Sequence, residues 1–311
     1  GMIRSAVFAL LRYRNMRESR KTDSDVARPL IVGFEEPEIY LHPNAAKQMR
    51  DTIYELAAAP GNQIVCTTHS PYMIDLSKRP SQLLNNFFRV SDQIRLGERE
   101  VIIEKIQCFA FNTSEEFRKL QAEDQTYVKM LLKVDDYIAK VFFAKNVLII
   151  EGDTEDIVLR ESLQRLPESI RKRIESEWQI VKARGKATII SLVKYLKAMG
   201  IQPYVIHDED KGNEKAESYN RPILEALGDS SKRVMLSNCI EDVLGYPAPS
   251  NEKPYHAYKH ISGNWGDCFD TLPQQWKNVI YQVFSNYFSE LEVKSHLPEV
   301  ASTSEYPQNE G

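Results

Sequence analysis

The sequence is short of cysteine, of long apolar runs and of positive charge, and each shortage removes a class of protein. Its four cysteines (Cys66, Cys108, Cys239 and Cys268) show no C-x-x-C spacing, which argues against a zinc module and against a disulfide framework. Cys66 and Cys239 sit in apolar strand contexts, where a small buried residue is the simplest reading. No apolar run approaches the length of a membrane span. The brief apolar stretch near the start, MIRSAVFALLRYRNMR, is followed directly by charged residues, unlike a secretory signal. The cytoplasm is therefore the expected location, with no membrane partner. A net charge of −4 does not advertise nucleic-acid binding, although clustered metal ligands would themselves make a chain acidic. The sequence also contains no G-x-x-x-x-G-K-[ST] segment, so it lacks the loop whose backbone amides and lysine cradle nucleotide phosphates. ATP hydrolysis by these residues alone is not expected.

What is present is an ordinary globular chain of 311 residues, 42% hydrophobic and 27% charged, long enough for two domains. Its most informative feature is acidic. NVLIIEGDTE places Glu151 and Glu155 after the apolar run Val147–Ile150, which reads as a buried parallel strand. PYVIHDED places Asp208 and Asp210 after a second such run. Two residues apart in extended chain, these carboxylates would face the same side. Four carboxylates gathered at strand ends repel unless cations lie between them, and hard oxygen ligands suit Mg²⁺ or Mn²⁺.

The rest of the chain reads as α/β. Residues 2–20 have helical spacing, followed by a polar connection. Leu30–Phe34 reads as a buried strand, Asn44 as the cap of a helix to about Ala57, and Gln63–Thr67 as the next strand. NFFRV is a strand with LGE as a turn. Residues 115–142 have a helical pattern. From 146 to 208, strands and helices alternate, the signature of a parallel sheet. Residues 211–222 read as a polar loop and 272–292 as an apolar, aromatic helix. The expected domains are 1–90, a partial α/β core; 91–143, a mainly helical connector; 144–300, the acidic domain; and 301–311, a disordered tail.

The pattern E-G-x-x-E followed by D-x-D resembles the Toprim domain, over roughly residues 144–262. Arg184-Gly185-Lys186 is similar to the glycine-lysine turn of that domain. In VMLSNCIEDVLGY, Glu241 looks like the additional carboxylate of the overcoming-lysogenization-defect family of nucleases. That family also uses a later lysine, for which Lys253 is the nearest match and Lys259 a fallback. Upstream, PLIVGFEEPEIYLHP and QIVCTTHSPYMID resemble the Walker B, D-loop and switch segments of an ABC-type ATPase of the RecF and SMC kind. There Glu35 would take the Mg²⁺-side position, Glu36 would orient water and His69 would sense the γ-phosphate. The ABC signature segment is absent along with the P-loop. The expectation is the C-terminal portion of an ATP-dependent endonuclease, or a truncated relative. The missing ATPase half, or a partner chain supplying it, would complete the nucleotide site.

The resemblance implies metal-dependent DNA cleavage with two Mg²⁺ or Mn²⁺ ions. Glu151, Glu155, Asp208, Asp210 and Glu241 would hold metal, with Lys253 or Lys186 as the catalytic cation. A homodimer is implied too, with ATP relevant only to a complete ATPase domain. Each residue has a plainer reading. Glu155 and Glu241 suit the first turn of a helix, Asp208 and Asp210 suit a turn, Lys186 and Lys253 suit a surface, and His207 suits the core. A topoisomerase- or primase-like Toprim, a regulatory half without catalysis, and an ATPase whose Toprim only binds DNA also remain open.

Overall fold

The computed structural model describes residues 9–11, 13–14, 16–17, 30–75, 82–96, 99–134 and 138–295. Every described position of the helix expected over 2–20 is helical. The expected tail at 301–311 lies outside the described residues.

The first unit is a β-α-β crossover. Strands β1 (Leu30–Glu35) and β2 (Asn62–Thr67) pair in parallel, Leu30 opposite Asn62 and Glu35 opposite Thr67. Helix α1 (Pro43–Ala58) joins them, starting one residue before the expected Asn44 cap. Proline fits there because the first helical N–H has no partner anyway. Ile53 and Leu56 of α1 pack with Met73 against Phe34 and Ile64. The strand expected to be buried is covered on one face only: Ile31 is 73% and Val65 56% exposed.

Two long strands follow, β3 (Leu83–Leu96) and β4 (Arg99–Asn112), paired antiparallel from Leu83–Asn112 to Leu96–Arg99. NFFRV lies in β3, as expected, but the connector is not helical in its first part. β4 carries the β-branched and aromatic run VIIEKIQCFAF, which favours a pleated strand. Helices occupy only the later part, α2 (Thr113–Lys119) and α3 (Ala122–Val134). The hairpin is rooted by Phe111, buried among the core residues of the next unit. Phe109 also lies against Gly200, where an added Cβ would come 2.8 Å from its ring.

The last unit holds a four-stranded parallel sheet in the order β6-β5-β7-β8. β5 (Asn146–Ile150) is followed by α4 (Asp153–Gln164) and α5 (Glu168–Glu177), then edge strand β6 (Trp178–Lys182). α6 (Lys186–Ala198) crosses to β7 (Tyr204–Asp208) on the other side of β5. Short α7 (Glu214–Glu217) and α8 (Asn220–Leu227) occupy the segment expected to be a loop, before β8 (Arg233–Leu236). α9 (Ile240–Leu244), α10 (Lys253–Asn264) and α11 (Gln274–Ser295) complete the unit.

Alternate residues of β5 serve two cores, as pleating requires. Leu148 and Ile150 join α4, α5, α9, α10 and α11. Val147 and Ile149 join α3, α6 and α8. A sheet covered on both faces explains why β5 reads as a continuous apolar run. α11 is fastened by two buried indole bonds: Trp276 donates to Ser162 Oγ at 2.6 Å, and Trp178 donates to Tyr287 Oη at 2.9 Å.

Candidate functional site

The chain leaves β5 to one side and returns as β7 on the other. The carboxyl ends of β5 and β7 therefore flank a topological switch point, where open α/β sheets gather ligands. Glu151 follows β5, and Asp208 ends β7. The Asp208 N–H donates to Glu151 Oε2 at 3.4 Å. Glu155, in the first turn of α4, is buried and accepts from the Gly152 N–H at 2.8 Å. It thus caps its own helix as well as facing the site. Glu241, in the first turn of α9, is 0% exposed. Both of its carboxylate oxygens and Asp208 Oδ1 are buried without a hydrogen bond.

These charges feel one another. Burial, then the Glu155 charge, pushes Glu151 up to about 7, opposed by Lys186. Burial, then Glu155, Glu151, Asp210 and Glu241, pushes Asp208 up to about 8. Burial also raises Glu155. Such values mark an uncompensated cluster. Buried carboxylate oxygens that accept no hydrogen bond, as at Asp208 Oδ1, are the hard donors that a divalent cation takes. Even so, among the described residues no three His, Cys, Asp or Glu side chains already form a metal-holding group. The carboxylates share a neighbourhood without making a closed cage.

The two lysines separate. Lys253, at the start of α10, places Nζ 3.5 Å from Glu241 Oε1. Burial disfavours its charge, but Glu241 and Asp208 outweigh that, and its pKa is raised. Lys186 is 4% exposed, and its ammonium is consumed internally. It pairs with Asp210 Oδ2 at 2.7 Å and donates to Asn220 Oδ1 at 2.9 Å. The turn before it has φ of 61° at Arg184 and 121° at Gly185, the second a conformation that glycine tolerates best. Asp210 does not share the Asp208 side of an extended strand. β7 ends at Asp208, and Asp210 is left-handed with φ 58°. His207 is packed, as expected: it is fully buried, with Nδ1 2.8 Å from the Asp208 carbonyl. Burial holds its pKa down to about 4, so it is neutral.

Sequence reasoning missed Lys182, at the end of β6, which pairs with Asp153 at 3.0 Å and Asp156 at 3.4 Å. Its signal was available, a lysine ending a strand beside the acidic turn. It also missed Asn220, which ties α8 to the Glu209 carbonyl at 2.8 Å.

The other predicted set lies at the ends of β1 and β2, in a separate two-stranded sheet. Glu35 is exposed, and Glu36 turns with φ 39°. His69 Nε2 lies 3.3 Å from Glu36 Oε1 with its side chain 89% exposed. Glu38, not singled out from sequence, is buried and accepts from the Thr68 hydroxyl.

Comparison with known proteins agrees with both segments. Residues 1–74 match a family model described as an AAA ATPase domain. Residues 142–210 match the overcoming lysogenization defect protein-like TOPRIM domain. The chain is 27% identical over 264 residues to the Old nuclease of Escherichia phage P2, covering 84% of this chain and 41% of that protein. It is 24% identical over 244 residues to the OLD nuclease of Thermus scotoductus, covering 72% of this chain and 42% of that one. The chain thus spans about two-fifths of the length of these curated relatives. The acidic switch point lies within the segment similar to an overcoming-lysogenization-defect-like TOPRIM domain, and the segment similar to an AAA ATPase domain precedes it in the chain.

Proposed function

We propose that the chain carries the cutting site of a divalent-metal-dependent DNA endonuclease, acting in DNA repair or phage defence. The observation that carries this reading is the buried, uncompensated carboxylate cluster at the ends of β5 and β7. Glu151 and Asp208 would hold cation on the sheet, and Glu155 and Glu241 would complete the set from α4 and α9. Mg²⁺ or Mn²⁺, two ions by resemblance, would lower the pKa of a bound water and stabilise the leaving oxygen. Lys253 would neutralise charge growing on the phosphate, being the cation nearest the cluster that is still half-exposed. Lys186 would instead hold the Asp210 loop in place, with Asp210 adding negative charge to the site. ATP would act only where a P-loop completes the site of Glu35, Glu36 and His69. A homodimer is part of the same proposal, by resemblance.

The test is supercoiled plasmid with Mg²⁺, Mn²⁺, Ca²⁺ or EDTA, for the parent and for Asp208→Ala. Nicking that needs Mg²⁺ or Mn²⁺ and falls by about a hundredfold or more in the variant is expected, as for loss of a group stabilising the transition state. Equal cutting by the variant, or none by the folded parent in any metal, would sink the proposal.

A further inference from the structure

We infer that a cleft along α10 holds the single strand of nucleic acid that flanks the cut phosphodiester; this rests on the nuclease reading above. An open, shallow cleft of about 350 Å³ lies between α10 and the turn after α9, and its walls include Tyr246, Pro249, His256, Lys259, His260 and Asn264.

Three independent features give the cleft its chemistry. First, charge: α10 reads KPYHAYKHISGN, with two lysines, two histidines and no acidic residue, in a chain of net charge −4. Lys259 pairs with no carboxylate among the described residues, so its charge is open to a phosphate. Second, stacking: the Tyr246 ring lies on the His260 imidazole with centroids 4.4 Å apart and planes at 25°. Tyr255 and Tyr258, 59% and 51% exposed, lie on the same helix but do not line the cleft. Aromatic faces interleaved with cations are what binds an unpaired strand, because every base has a face to stack.

Third, continuity with the carboxylates: Lys253, His256, His260 and Asn264 recur at helical three- and four-residue steps and share one face. That face begins at Lys253 beside Glu241 and ends in the cleft. The Tyr246 N–H donates to the Glu241 carbonyl at 3.1 Å, the bond that ends α9, so the Tyr246 wall follows Glu241 directly in the chain. From Lys253 to Lys259 is roughly 9 Å of helix rise.

A fluorescein-labelled single-stranded DNA oligonucleotide, followed by anisotropy in EDTA over a salt series, tests this apart from catalysis. Lys259→Glu is expected to weaken binding about tenfold and to lower the salt slope by about one. His260→Ala should weaken binding through the lost stack, by several-fold. Lys172→Glu, on α5, is the charge control and should bind like the parent; all variants are checked by thermal melting. No binding by the parent, parent-like binding by Lys259→Glu, or equal weakening by Lys172→Glu would overturn the inference. Cutting is scored separately. A parent that binds through the cleft but never cuts plasmid defeats the nuclease reading and leaves the cleft standing. A parent that cuts while Lys259→Glu binds normally does the reverse.

Discussion

At the scale of single residues, the site is defined by charge that the fold does not neutralise. Burial and the neighbouring carboxylates push Asp208 up to about 8 and Glu151 up to about 7, against ordinary values near 4. Because the folded values are raised, the folded state binds more protons across this window. Stability is then full below about pH 4 and is lost as pH rises through 7 to 8. The metal-free protein should melt at a lower temperature at pH 8 than at pH 5. Asp208→Asn should raise the pH 8 melting temperature in EDTA by a few degrees, since about 1 kcal/mol moves it roughly 2–4 °C in a domain of this size. Mg²⁺ should raise it for the parent and less for the variant. A parent melting profile that is flat with pH, or an equal Mg²⁺ effect on both proteins, would refute this account. The sequence revealed these carboxylates because each follows an apolar strand, and strand ends point at the crevice. It misplaced Asp210 because the extended-chain rule stops where β7 stops. It also left Lys186 open, because an ion pair between residues 24 apart has no local signal.

At the scale of elements, what was legible followed from what surrounds each segment. β5 to β7 alternate with helices, and their apolar runs announce burial on both faces. The 99–112 segment escaped because it packs mostly against its own partner strand, with Ile102 and Ile106 exposed on the ribbon. Its alternation therefore tracks no single core. α11 was visible as an aromatic helix, and the structure adds its purpose: Trp276, 0% exposed, roofs the core below Ser162 of α4. α4 in turn carries Glu155 to the site. Trp276→Ala should cost roughly 3–5 kcal/mol as a large cavity, read by urea unfolding. Trp276→Phe, which loses only the indole bond and some volume, should cost distinctly less. If the two variants are equally stable, α11 is not anchored through this side chain.

At the scale of the whole molecule, the two α/β units differ in how completely they are clothed. β5 and β7 are buried on both faces, whereas β1 and β2 present Ile31 and Val65 to the outside. Parallel strands draw their stability from cover on both sides, and backbone amides exchange at the cost of the opening that frees them. Among the described residues, no helix is long and apolar enough to cross a membrane, so the open face is not explained by a bilayer-spanning helix. Hydrogen exchange should therefore be slowest in β5 and β7, limited by global unfolding. It should be faster in β1 and β2 and in the outer part of the β3–β4 hairpin. Mg²⁺ should slow exchange around residues 151–155 and 207–210, where cation would tie strand ends together, and leave β1 and β2 unchanged. Mass spectrometry of peptic fragments can read both effects in one experiment. Uniform protection across β1–β2 and β5–β7 would mean that the units share one cooperative core. Mg²⁺ protection confined to residues 35–36 and 67–69 would move the cation from the switch point to the ATPase segment, and the nuclease assignment would fall with it.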